Sequence, residues 1–251
     1  MKNKIKYYFY NITNFFDKKK YIYLFLGLLL INIYCILDTK NNYGIDYNLI
    51  FDFNNRYYLC MLLLLISFFV IEFLNAFKNK IELVTRFKSK QQYFSYVIKC
   101  LIFITIFIFI LNFGILLFLR VIKHHFTFST NDFYLYNIPS ILYFSWQFFR
   151  NYIYILFISY IVAFLNFHIS NKSIIYIVYI TVIILLLIPI GSIINNNNII
   201  KIFIFSTFLS YYNFGSMLNE FSYFACSFII KYYILYFLMF CYKKWRIYGN
   251  Y

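Results

Sequence analysis

The chain has 251 residues, of which 63% are hydrophobic, 26% aromatic and only 12% charged, with a mean hydropathy of +0.71. A soluble domain carries roughly 25% charged residues, so too little polar surface remains here to cover one water-soluble core. Six glycines and two prolines exclude a disordered or fibrous chain, and the composition is that of an integral membrane protein.

The leader, residues 1–20, places Ile5, Tyr8, Phe9, Ile12, Phe15 and Phe16 at helical spacing between clusters of lysine. That pattern predicts an amphipathic helix lying in the inner headgroup layer. It is long and is followed by no small-x-small cleavage pattern, so the first apolar run is not expected to be a cleaved signal. One helical crossing needs about 20 apolar residues. Six runs meet that need, at residues 21–37, 57–77, 100–119, 141–167, 174–194 and 221–242. The third holds no charge. The fourth holds Arg150, so either it tilts steeply, or 141–149 lies in the interface and the crossing starts near Asn151. A shorter run at 199–212 contains Lys201 and is predicted to be re-entrant or interfacial.

The net charge of +15 would suggest nucleic acid in a soluble protein. Here the basic residues lie mostly between apolar runs, where they set topology and meet anionic lipid headgroups, so no nucleic-acid partner is expected. With both termini in the cytoplasm, the inner segments hold 16 lysines and arginines and the outer ones 5. That asymmetry orients the chain as a multi-pass protein of the cell membrane. The five cysteines form no Cys-x-x-Cys pair and read as small hydrophobes, although Cys35 and Cys60 fall near one outer surface where a disulfide is conceivable.

Between the second and third runs, Ile81, Val84 and Phe87 share one side of a helical segment, with Glu82 and Arg86 four apart on another. Glu before Arg at that spacing contributes about 0.2–0.5 kcal/mol to an exposed helix. Chemistry-bearing motifs are scarce. The glycines build no phosphate-cradling Gly-x-x-x-x-Gly-Lys loop, so no nucleotide or other cofactor is expected on this chain. No metal helix and no nucleophile elbow occur, and the adjacent His124 and His125 face about 100° apart on a helix, too far to chelate one metal well.

Glu82-x-x-x-Arg86 and Phe164-x-x-x-His168 resemble parts of the CAAX-type intramembrane protease motifs, but Ile81 stands where a second Glu belongs and no later histidine follows. Three charges remain inside apolar runs: Glu72, Arg150 and Lys231. Each costs at least ~2.5–3.5 kcal/mol in a bilayer centre unless it faces protein or water. A Glu72–Lys231 pair would neutralise two of them. Arg150 is expected to snorkel to an interface, and Lys231, near mid-span, to pair or to act in function.

The layout resembles the membrane subunit of a type-2 ABC exporter, an ABC-2-type permease. The matching features are the leader running through Asp17, Lys18, Lys19 and Lys20 into the first span, and the helical segment 81–94 after the second, ending in Arg86-Phe87-Lys88-Ser89-Lys90-Gln91-Gln92-Tyr93-Phe94. The stretch 189–220 resembles the family's re-entrant outer segment. The outer loop 120–140 is longer than the family pattern.

The resemblance implies an all-α integral membrane protein with six transmembrane helices. An N-terminal amphipathic interfacial helix, a cytoplasmic coupling helix at 78–96 and a re-entrant segment before the last span complete it. Ile81, Glu82, Val84, Arg86 and Phe87 would dock a separate ABC ATPase subunit carrying ATP and magnesium, and a second copy or related permease would complete the pathway. The expected cargo is an amphipathic substrate, a bacteriocin-like or toxin peptide first. The alternatives are an intramembrane CAAX-type protease and an ATP-independent secondary transporter, although the first and last three spans show no convincing match.

Overall fold

Within hydrocarbon every backbone N–H and C=O needs a partner inside the segment, and a helix supplies one for each. A computed structural model of the chain describes residues 18–38, 45–78, 90–124, 132–133, 138–168, 176 and 217–248. These residues are helical apart from Asn55 and one two-residue antiparallel pairing. The helices are α1 (Lys18–Asp38), α2 (Ile45–Asn54), α3 (Arg56–Lys78), α4 (Lys90–His124), α5 (Ser140–His168) and α6 (Met217–Tyr248). Strands β1 (Asp132–Phe133) and β2 (Ile138–Pro139) pair just before α5, with Asp132 opposite Pro139.

Among the described residues four stretches are long and apolar enough to cross a membrane: Lys19–Leu37, Tyr57–Ala76, Ser95–Lys123 and Ser140–Asn166. The chain is a multi-pass membrane protein. Its helix faces say the same. On α1 the stripe Leu24, Leu28, Asn32 and Cys35 is buried, while Ile22, Phe25, Leu26, Leu30, Ile33 and Leu37 are exposed apolar side chains suited to lipid. Helix α3 is the most enclosed, buried on most of its faces from Tyr58 to Leu74. It packs against α1, α4 and α5. Phe109 and Phe113 of α4 interleave with Phe144 and Phe148 of α5 at ring-centroid distances of 4.7–5.6 Å.

The structure revises several boundaries. Helix α4 starts at Lys90, so residues 90–96 are the first turns of the third spanning helix rather than the tail of a separate coupling helix. It also runs past Leu119, because Arg120 is buried and paired rather than pulled out to water. Helix α5 is continuous through Arg150. The segment 38–56 is not a bare loop; it carries α2, which packs on α3, α4 and α5. Residues 1–17, 79–89, 177–216 and 249–251 lie outside the described residues, and with them the leader, the fifth span, the 199–212 segment and most of the coupling helix.

Candidate functional site

Among the described residues, the fully buried charged side chains pair at two junctions. The first begins at Asn55, the single residue between α2 and α3. Its Oδ1 accepts the backbone N–H groups of Tyr57 at 3.0 Å and Tyr58 at 3.3 Å, which caps the N-terminus of α3. Its own N–H donates to the Asp52 carbonyl at 3.1 Å and so closes the end of α2. This tight joint turns Ile45, Asn48, Leu49 and Asp52, one face of α2 at i, i+3, i+4 and i+7, into the protein.

Asp52 meets Arg120 of α4 in a two-pronged pair. Arg120 Nε donates to Oδ2 at 2.7 Å and Nη2 to Oδ1. Both side chains are 0% exposed. The Cys35 thiol of α1 donates to the same Oδ1 at 3.2 Å. Burial pushes the Asp52 carboxyl above the usual carboxylate range, opposed by the hydrogen bond and charge of Arg120 and by the Cys35 thiol. Beside this pair, Lys123 Nζ donates to the Ile36 carbonyl at 2.7 Å, holding the last turn of α1.

Deeper in the bundle, three neutral groups close a ring. Asn32 Nδ2 donates to Asn112 Oδ1 at 2.9 Å, Asn112 Nδ2 to Tyr58 Oη at 2.6 Å, and Tyr58 Oη to Asn32 Oδ1 at 3.2 Å. Eight residues of α4 separate Arg120 from Asn112, about 12 Å of helix rise. A polar seam therefore runs from the end holding Ile36, Asp52 and Arg120, here the cap end, inward between α1, α3 and α4.

The second junction joins α5 to α6. Tyr143, Trp146, Gln147 and Arg150 occupy i, i+3, i+4 and i+7 of α5 and converge on Glu220, in the first turn of α6. Arg150 Nη1 donates to Glu220 Oε1 at 3.0 Å, Trp146 Nε1 at 2.9 Å and Gln147 Nε2 at 3.4 Å, while Tyr143 Oη donates to Oε2 at 3.4 Å. A carboxylate in a first helical turn also suits the positive end of the helix dipole. Aromatic packing continues the contact, with Phe224 at 5.0 Å from Trp146 and 6.2 Å from Phe149. Lys231 then lies 5.3 Å from the Tyr154 ring and 5.7 Å from the Phe157 ring. Contacts advance together along both helices, so α5 and α6 run parallel.

The expected charges thus take other places. Glu72 pairs with Lys20 at 2.9 Å, and the structure sets Lys231 among aromatic rings of α5, so a Glu72–Lys231 pair is not formed. Their helices bring Glu72 beside the start of α1 instead. Arg150 is 1% exposed and ion-paired, not snorkelling, because Glu220 supplies a carboxylate at its own depth. Cys35 and Cys60 are buried thiols that form no disulfide, and Cys35 is turned to Asp52. Ile81, Glu82, Val84, Arg86 and Phe87 lie outside the described residues.

Asp52, Arg120, Glu220, Asn32, Asn112 and Tyr58 were not legible as a site. Asp52 and Arg120 flank apolar runs and read as loop charges. The available signal was Asn112 inside the charge-free third run, an amide that needs a partner wherever hydrocarbon surrounds it. Among the described residues no three His, Cys, Asp or Glu side chains gather to hold a metal ion. No protein family, curated protein or solved structure matches the chain.

Proposed function

We propose that the chain is the membrane-spanning permease subunit of an ATP-driven exporter, working with a second copy or a related permease and energised by a separate ABC ATPase. The observation that carries this reading is the placement of ion pairs and amide contacts between different spanning helices, at α1–α2–α3–α4 and α5–α6. Polar groups at such depth set helix register and have discrete partners to exchange, which suits helices that rock between two arrangements.

The parallel run of α5 and α6 adds support for six spans. Two parallel spanning helices require an odd number of crossings between them, and the apolar run 174–194 provides one. The positive-inside asymmetry then puts both termini in the cytoplasm and the cap end outside. The 79–89 segment would meet the ATPase through Ile81, Glu82, Val84, Arg86 and Phe87, while ATP and magnesium stay on that partner. ATP would favour one arrangement of the spans over the other, a population shift. The substrate class proposed is an amphipathic peptide entering laterally from the bilayer.

A mild-detergent pull-down from native membranes with mass spectrometry tests it. The expected result is a stoichiometric partner carrying a Gly-x-x-x-x-Gly-Lys-Ser/Thr loop, lost on Arg86→Glu or Phe87→Asp. Recovery without any nucleotide-binding partner, where a control exporter stays intact, would overturn it.

A further inference from the structure

We infer that α2 is a cap held shut by a releasable latch, the Asp52–Arg120 pair, and that its release opens the polar seam beneath it to water. This deepens the transport reading by naming the element that closes one end of the pathway, and it rests on that reading for its biological use alone.

Three observations carry it. First, α2 is short, and it is covalently continuous with α3 only through the Asn55 joint. At ten residues it can lift as a unit without unwinding α3.

Second, beside Ile45, Leu49, Ile50 and Asn48, α2 inserts a charge into the bundle, that of Asp52. A buried ion pair is weak support for a fold, because apolar side chains of similar volume at the same place hold it equally well or better. Its distinguishing property is that both partners are stable in water once parted. An apolar plug has no such second state.

Third, the groups directly under the cap are suited to wetting. Cys35 donates to Asp52, and Asn32, one turn away on α1, is bonded in a ring with Tyr58 and Asn112; each of these hydrogen bonds can be exchanged for one to water. Around these groups, Leu28, Leu62 and Leu116 are buried. The seam is therefore sealed at the cap and polar within.

Cys35 is a built-in reporter. Its thiol is buried and donates to Asp52 only while the cap is closed. Cys100 serves as the control: it is buried on the same helix as Arg120 but 20 residues away, about 30 Å of rise.

The full chain in lipid nanodiscs, where both faces are open to solvent, would be treated with a membrane-impermeant sulfonated maleimide. Peptide mass spectrometry would follow the modification of each cysteine over time. The expected result is slow modification of Cys35 in the native chain, and at least about a tenfold faster rate in Asp52→Asn or Arg120→Gln, as for a local opening that a lost contact makes easier. Cys100 should stay unmodified in all of them. Asp52→Leu combined with Arg120→Leu should bring Cys35 back to the native rate or below, since the latch then holds no charge that gains from water.

A native Cys35 that never reacts, an Asp52→Asn rate equal to the native one, or Cys35 and Cys100 reacting in step would each overturn the latch. None of these measurements needs an ATPase, so a pull-down without a nucleotide-binding partner would sink the exporter reading and leave the latch standing.

Discussion

The two buried carboxylates among the described residues are held by different kinds of neighbourhood. Asp52 takes its donors from two helices, Arg120 on α4 and Cys35 on α1, while itself standing on a third. Glu220 takes all four of its donors from a single face of α5. The first carboxylate ties several elements at one point; the second docks one helix on one other. The chemistry is the same, a guanidinium on a buried carboxylate, yet the mechanical consequence differs. Loss of Asp52 loosens a junction on which α1, α2 and α4 all depend. Loss of Glu220 frees the start of α6 and leaves the α1–α5 bundle in place.

The comparison is broken most directly at Arg120. Arg120→Met strands a carboxylate at zero exposure and is expected to cost about 3–5 kcal/mol. The check is the denaturation midpoint of the purified protein in detergent, followed by helical circular dichroism. Adding Asp52→Leu should recover most of that loss. A double variant as unstable as the single one would show that the pair holds the junction by more than mutual neutralisation.

Glu220→Gln comes next. The amide keeps a carbonyl that can accept from Trp146 and Gln147, so the loss is nearer that of one charged hydrogen bond, about 1.5–3 kcal/mol. It should be local. Hydrogen exchange should quicken in the first turns of α6 and stay unchanged in α1, α3 and α4, and Trp146 emission should move to the red as water reaches the indole. Faster exchange in α1 would remove the distinction between the junctions.

Glycines sharpen the same contrast below the cap. A Cβ on Gly27 of α1 would sit 2.6 Å from Leu65 Cδ1 on α3, whereas one on Gly114 of α4 would meet nothing within 4 Å. Gly27→Phe should therefore push α1 from α3 and cost about 1–3 kcal/mol by thermal melt. Gly27→Ala should be milder, since the Leu65 side chain can turn away. Gly114→Ala should be neutral or stabilising by up to about 1 kcal/mol, the helix-propensity difference. If Gly27→Phe melts with the native chain, α1 and α3 do not depend on that close approach.

How much of this was legible in the sequence follows from what each signal measures. Hydropathy places helices wherever a long apolar run excludes water, and it located α1, α3, α4, α5 and the start of α6 to within a few residues at most ends. It failed at α2, whose ten residues IDYNLIFDFN alternate in polarity too closely for any window of membrane length. It also treated Arg150 as an interruption, because a sum over side chains counts a charge as a cost and cannot register a partner 70 residues away. Sequence distance hid every member of the seam in the same way. Asn32 and Asn112 are 80 residues apart, and only the folded bundle makes them neighbours. The docking residues at 81–87 lie outside the described residues and stand on the family resemblance alone.

The smallest expected effect tests what burial contributes to the first comparison. Lys20 and Glu72 form an ion pair at 2.9 Å, a distance like that of Arg150 and Glu220, but their side chains are 36% and 25% exposed. Water at that exposure screens the attraction, and an exposed pair is worth roughly 0–1 kcal/mol. Lys20→Gln should shift the denaturation midpoint by no more than that, and added salt should shrink the shift further, because ions reach the pair. Arg120→Met should show no such salt dependence, since no ion reaches a junction of zero exposure. A loss at Lys20 comparable with that at Arg120, or equal salt dependence in the two variants, would mean that distance alone sets these energies. The stated difference requires that the same contact, 2.9 Å in one place and buried in another, be governed by how much water each side chain can still reach.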